Sequence, residues 1–351
     1  MSLGFLRCGD HGYSAYGVTY FVGGQMKYFQ ISLISMMVTA FGANAAGMNM
    51  EVSQPYINTH LSSGSGAVVN DGNILVVGDD MEWLFSVDKD YQIVDRYSLS
   101  ASKTPAEGRM KKKIKPDFES ITKLKYQGQE YYLVLGSGSK KGKREKAVLM
   151  AAGDHSKQIL SLSPLYQSLY EASGMSGKQK LNIEGVANSD DMAYLFNRGN
   201  EGKNIVFSIK LDQMMDFISG KSDSLTSLSA VDIELPSIKG FDATLSGADF
   251  WPEANSIVYS ASVEGTDTAV GDGKVLGSFI GVLPADKLTG NIKVLDLTQN
   301  AQQLTHNGQA VITKVESVAI DTSNQHSVQG YLVSDNDDGT SQFFSFTIKA
   351  D

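Results

Sequence analysis

Residues 182–186 read Asn182-Ile183-Glu184-Gly185-Val186, an acidic residue framed by small and apolar neighbours, and the pattern returns along the chain. It stands at Pro116-Asp117-Phe118-Glu119-Ser120-Ile121, at Ser246-Gly247-Ala248-Asp249-Phe250 and at Lys314-Val315-Glu316-Ser317-Val318. The four acids, Glu119, Glu184, Asp249 and Glu316, are spaced by 65, 65 and 67 residues. Self-similarity at a near-constant period marks a repeat architecture, in which each unit buries its apolar face against the next.

Each acid is followed by a second short apolar run, YYLVLGS, AYLFNRG, SIVYSAS or GYLVSDN, and then by a third, AVLMAA, NIVFSIKL, VLGSFIGVL or FFSFTI. A fourth run, QILSLS, AVDIEL or IKVLDL, follows in three of them. An earlier copy keeps the frame without the acid, from Ser65-Gly66-Ala67-Val68-Val69 through NILVVGDD, WLFSVD and YQIVDRYSL. Short runs of β-branched and aromatic residues punctuated by Gly, Asn, Asp and Ser are strand signals, and many at short spacing mean a sandwich, barrel or propeller. Repetition selects the propeller. The last copy stops at its third strand, while residues 50–57 form a lone strand with no partners of its own. Together they complete one blade. The expectation is an all-β, five-bladed β-propeller closed by its N-terminal strand, with a six-bladed ring as the alternative. Two stretches, 165–174 and 211–220, have helical spacing and are read as short helices packed on blade edges.

The 351 residues are 42% hydrophobic and 20% charged, enough to bury a core, and the net charge is −9 with a pI near 5.1. That balance argues against nucleic acid or an anionic membrane as a general partner, since both select basic surfaces. The one cysteine, Cys8, excludes a disulfide framework, a cysteine zinc site and an iron–sulfur cluster. Residues 26–46 begin with Met26-Lys27-Tyr28-Phe29-Gln30, continue through ISLISMMVTAFG and end in Ala43-Asn44-Ala45-Ala46. A basic start, about a dozen apolar residues and an Ala-x-Ala end read as a cleaved secretory signal peptide. The apolar run is shorter than the ~20 residues of a spanning helix. Residues 1–25 read as an upstream extension, with Met26 the expected start, and residues 47–351 as a single propeller domain. Loss of 1–46 removes Arg7, Lys27, Asp10 and Cys8 and leaves a charge of −10. A bacterial periplasm or the exterior is the expected location, with no membrane contact after cleavage.

First strands of propeller blades line the central channel, so Glu119, Glu184, Asp249 and Glu316 are expected to converge on the axis with Ser65 beside them. Clustered carboxylates need a cation, protonation or pairing with Lys and Arg. Oxygen-only donors favour a hard cation, calcium before magnesium. The competing expectation is that these acids bond neighbouring backbone and clamp the blades. Polar loops between second and third strands share that face. Lys140 and Arg144 come from GSGSKKGKR, and Asn197, Arg198 and Asn200 from the third blade's loop. A second basic run, Arg109 to Lys115, enters the second blade there. Basic residues on one side of the mouth and acids on the other suit a small phosphorylated ligand. Glu264 and Asp267 are the candidate general bases. GSGSKKGKR lacks the GxxxxGK[ST] spacing and leads into a strand, so it is not a P-loop. The histidines show no metal-ligand spacing, and no GxSxG elbow is present.

The strings KPDFE (115–119), LGSGS (135–139), NIEG (182–185), NRGN (197–200), SASVEGTDT (260–268), KVESV (314–318) and SDNDD (334–338) resemble an uncharacterised family of secreted bacterial β-propellers, from which no activity transfers. The chain is more distantly similar to the calcium-activated apyrases, five-bladed propellers that hydrolyse nucleoside di- and triphosphates, and to phytase-like and esterase-like propellers. The apyrase resemblance implies axial calcium held by Glu and Ser of the inner strands, here Glu119, Glu184, Glu316 and Ser65. It also implies phosphate contact by Arg198. Two expectations follow: a calcium-dependent hydrolase of a phosphorylated small molecule, or a non-catalytic ligand- or protein-binding propeller with structural calcium.

Overall fold

The computed structural model describes residues 17–22, 25–30, 48–102, 108–265, 273–288 and 292–350. The chain divides into two units, Met1–Phe41 and Gly42–Asp351. In the first, Gly17–Val22 and Gln25–Gln30 pair as an antiparallel hairpin. Residues 26–30, the start of the stretch read as a leader, belong to its second strand, and the apolar run 31–42 lies outside the described residues. No described helix is long and apolar enough to cross a membrane.

The second unit is a five-bladed β-propeller, with five small sheets in a ring. The inner strands are Gly64–Asn70, Phe118–Tyr126, Ile183–Asn188, Thr244–Trp251 and Val315–Ser323, and each abuts the next, the fifth returning to the first. Their hairpins follow the chain's own turn chemistry. Asp71-Gly72 and Gln127-Gly128 both sit at positive φ, as a two-residue turn matched to strand twist requires. Burial falls from the inside of a blade outward. In the first blade Asn73–Gly78 is almost wholly buried, sandwiched on both faces, whereas the outer strand Ile93–Ser98 is mostly exposed. The apolar residues accordingly gather into five clusters, one in each gap between neighbouring blades.

Closure occurs as the unpaired N-terminal strand requires. Met48–Val52 and Tyr56–Asn58 both pair antiparallel with Ser341–Ala350, the third strand of the fifth blade. The two helical stretches form Ser163–Ala172 and Leu211–Ile218. Their apolar faces, including Leu165, Leu169, Met214 and Met215, complete the cluster between the second and third blades. One strand assignment is corrected. Val294–Asp296, within IKVLDL, does not finish the fourth blade: it pairs in parallel with Ser229–Glu234 as a fifth strand of the third. The fourth blade is completed by Ala301–Gln303 instead.

Candidate functional site at the channel mouth

Every inner strand opens with an irregularity in its pairing. Ser65, Glu119, Glu184 and Glu316 are each the extra residue of a β-bulge, opposite no residue on the second strand. A bulge re-aims the side chain it carries. Here all four side chains reach one cavity of about 350 Å³ at the mouth of the channel. The residue after the bulge is small because the next blade passes against it. A Cβ on Gly185 would lie 2.4 Å from the Ser246 carbonyl oxygen, and one on Gly247 would lie 2.4 Å from Ser317 Cα. At the next seam Ser317 Oγ accepts the Ala67 N–H at 2.8 Å, tying the fifth blade to the first.

The frame apolar–acid or Ser–small–apolar therefore aligns Ser246, not Asp249, with the other four. Asp249 lies three residues further along, away from the mouth cavity. Its carboxylate accepts the N–H of Ile320 at 2.8 Å and of Phe250 at 2.8 Å, so it clamps the fourth blade to the fifth. Burial raises its pKa to about 6, against the opposing effect of those N–H donors. Ser246 Oγ is spent on the Val315 carbonyl at 2.7 Å. Among the described residues, the inner strand of the fourth blade thus sends no acid to the axis.

Protein cations already meet much of the acid. Lys115 bonds Asp79 and, at 3.0 Å, Asp117. Arg144 meets Asp117 at 2.8 Å, and Lys314 meets Glu316 at 2.8 Å. Arg198 lies 2.5 Å from Glu264 and 3.6 Å from Glu184. Carboxylate oxygens of Asp79, Asp117 and Glu119 lie within 4.8 Å of one another, a spacing a metal ion could use. The Lys115 ammonium serves two of those three. Burial works against its charge, yet Glu119, Asp79 and Asp117 together hold its pKa above the usual lysine value.

Two acids stand apart from these pairs. Among the described residues Glu119 has no hydrogen-bond or ion-pair partner, and burial, then the charges of Glu184 and Asp117, push its pKa well above the usual carboxylate range. Glu316 Oε2 is buried with no hydrogen-bond partner, although Oε1 has Lys314. Burial pushes Glu316 up, but Lys314 and Arg198 outweigh it and leave its pKa below the usual value. Glu184, held by Asn182 Nδ2 at 2.6 Å, is raised to about 7 by burial despite Arg198. The half-partnered Glu316 shares the cavity with Glu119 and Glu184, carboxylates of the donor type that a hard cation takes. The residues fit such an ion: carboxylates and a hydroxyl, with no sulfur or imidazole.

The other expected ligand contacts divide. Arg198 lines the cavity. Asn197 does not: it is fully buried, accepting the Asn182 N–H at 2.7 Å and donating to the Lys203 carbonyl at 2.8 Å, which shapes the loop. Asn200 accepts from Asn182 Nδ2 at 3.3 Å. Arg144 is turned onto Asp117 and Ser139, and Lys140 is exposed outside the cavity. Glu264 is tied to Arg198, and Asp267 lies outside the described residues. The expected set omitted Lys115, Lys314, Asp117 and Asp335, the last raised to about 7 chiefly by burial. The signal was present: Lys115 and Lys314 each stand just ahead of an inner-strand acid.

Residues 60–348 match the model of a family of unknown function (DUF6929). No curated protein matches in sequence. Among solved structures, the glutaminyl cyclase of Myxococcus xanthus is 10% identical with a TM-score of 0.42, over 86% of this chain and 97% of that one. Regucalcin of Agrobacterium tumefaciens, described as a calcium-binding protein, is 9% identical with a TM-score of 0.38, over 84% and 94%. A streptogramin B lyase is 8% identical with a TM-score of 0.34, over 86% and 98%.

Proposed function

We propose a function for this chain, which belongs to the DUF6929 family of unknown function, from the channel mouth alone: it is an exported propeller that holds a calcium ion there and offers it to a small phosphorylated ligand. One observation carries the reading. Glu316 Oε2 is buried without a partner in the same cavity as Glu119, Glu184 and Ser65. A buried charged oxygen left unsatisfied is costly, and a cation removes that cost. Glu119, Glu184, Glu316 and Ser65 would hold the ion, and Lys115, already bonded to Asp79 and Asp117, would set its near boundary. When bound, such an ion supplies Lewis acidity to a phosphoryl oxygen. Arg198, braced between Glu184 and Glu264, places a fixed guanidinium at the same mouth and would orient the phosphate. If the ligand is turned over, the reaction is phosphoester or phosphoanhydride hydrolysis. In that reaction Glu264 positions Arg198, since its carboxylate is engaged by the guanidinium at 2.5 Å.

The test is thermal. Calcium at a hundredfold excess over its dissociation constant should add about 2.7 kcal/mol of stability, chelator should remove it, and Glu316→Gln should blunt the response. A wild type indifferent to both, with no metal by elemental analysis, ends this reading.

A second reading is favoured by the direction of the ion pairs. Arg109–Asp80 and Lys115–Asp79 join the segment entering the second blade to the first, and Arg198–Glu264 joins the third blade to the fourth. On this reading the mouth is an electrostatic staple in a non-catalytic binding propeller. Absence of turnover over a panel of nucleotides and generic phosphoesters, with calcium bound, selects it.

A further inference from the structure

The whole-chain charge of −9 conceals a local cluster of exposed lysines. Lys111, Lys112 and Lys113, on the segment entering the second blade, are exposed, as are Lys140, Lys141 and Lys143 on that blade's next loop. None of the six forms an ion pair among the described residues. The two loops touch: Lys143 Nζ donates to the Lys113 carbonyl at 3.4 Å. Each is a tight turn, closed by Ile114 N to the Lys111 carbonyl at 2.8 Å and by Arg144 N to the Lys140 carbonyl at 3.0 Å.

Within the first turn, Ile114 is 62% exposed, more than any other large apolar side chain among the described residues. Looseness does not account for it. The segment is pinned to the first blade at both ends, by Met110 N on the Asp80 carbonyl at 2.7 Å with Arg109 on Asp80 at 2.6 Å, and by Lys115 on Asp79. Ile312, 57% exposed, occupies the corresponding segment entering the fifth blade, and so faces the same side of the ring. A scattered apolar side chain on a surface is ordinary. A rigid one at the tip of a lysine cluster is not, because it has something to gain only where charge and hydrocarbon meet.

We infer that the lysine flank of the channel face docks on an anionic lipid surface, with the lysines on the headgroups and Ile114 entering the acyl boundary. A soluble polyanion would engage the lysines but give Ile114 nothing, whereas an interface rewards both. Lys112 borders the mouth cavity, but none of the six lysines is among the residues assigned to the ion, so the docking stands apart from the calcium reading. Whole-chain charge argued against such a partner because it averages over the molecule, whereas here the neighbouring acids Asp79, Asp80 and Asp117 are paired and six lysines are left exposed. Headgroups sense the charge within about a Debye length, roughly 8 Å at physiological salt.

The experiment is sedimentation of the full chain with vesicles of phosphatidylcholine alone and of phosphatidylcholine with phosphatidylglycerol, at low and physiological salt. The anionic vesicles should bind more tightly, and the excess should shrink with salt. At about fivefold per lysine, the variant Lys111→Ser/Lys113→Ser/Lys141→Ser should lose about a hundredfold of that excess. Ile114→Ser should weaken binding without changing its salt dependence. The melting temperature of both variants should stay at the wild-type value. Equal binding to both vesicles, or a lysine variant that binds as wild type, overturns the inference. So does inorganic tripolyphosphate binding that needs the lysines, if Ile114→Ser leaves vesicle binding intact, since the surface would then be a soluble-anion site. Loss of the calcium response in Glu316→Gln with vesicle binding retained separates the two sites.

Discussion

At Gly247 the ring leaves no room for a side chain. Its Cβ would meet Ser317 Cα at 2.4 Å and the Glu316 carbonyl at 2.7 Å, both backbone. The strain has nowhere to go except into the fifth blade's inner strand. Gly247→Ala is expected to cost about 1–3 kcal/mol, read as a lower melting temperature, and to weaken the calcium response by displacing Glu316. A melting temperature equal to wild type would mean that the seam is not tight. The same seam explains why Asp249 was misplaced. Matching acid to acid selects Asp249, whereas the geometry that recurs from blade to blade is a bulged residue followed by a small one, a frame that Ser246-Gly247 satisfies and Asp249 does not. Asp249 has its own prediction. Its folded pKa of about 6 lies above its unfolded value, so the folded state holds the proton more tightly. That contribution is fully present below about pH 4 and is lost as pH rises towards 6. Asp249→Asn should flatten that part of the stability curve relative to wild type. Curves that stay parallel between pH 4 and 6 would show that the carboxyl is not strained there.

Strands that are buried on both faces are easy to read as runs, and those at the rim are not. The second strands, AYLFN and its counterparts, are legible because each carries an almost unbroken run of apolar residues that the blades on both sides bury. Val294–Asp296 alternates exposed and half-buried residues, and nothing local distinguishes the outer edge of one blade from that of its neighbour. Its partner was set by the chain's path. The closing strand was legible for a different reason: a blade short of one strand and a strand without a blade must meet. Met48–Val52 and Tyr56–Asn58 together cover the edge of Ser341–Ala350, and Ser53 ties on through the Ser345 carbonyl at 2.9 Å. Removing residues 48–58 leaves that edge bare beside the buried Phe343, Phe344 and Phe346, a template for pairing with a second chain. The shortened protein should form dimers or larger species on size exclusion and melt lower. A monomer of unchanged stability would show that the ring does not need its fourth strand there.

At the axis of the ring, charge is balanced locally, pair by pair, and this is the part least visible in the sequence. The convergence of Glu119, Glu184 and Glu316 follows from repeat spacing, but whether lysines, protons or a metal answer them depends on side-chain reach across blades. Arg198 is the clearest case. It is 5% exposed, yet its guanidinium meets acids of two blades, Glu184 and Glu264, and donates from Nε to Thr244 Oγ1 at 3.2 Å. Arg198→Met keeps much of the volume and removes the charge, leaving both acids uncompensated in a buried setting. The expected loss is about 3–5 kcal/mol. A calcium ion held by Glu119, Glu184 and Glu316 would return positive charge to the same place, so calcium should restore more stability to Arg198→Met than it adds to wild type. Under the staple reading the lost guanidinium has no substitute, and the variant stays destabilised at every calcium concentration. Melting curves of the two proteins across a calcium titration decide between these outcomes, because only a cation site at the axis makes the rescue larger than the wild-type gain.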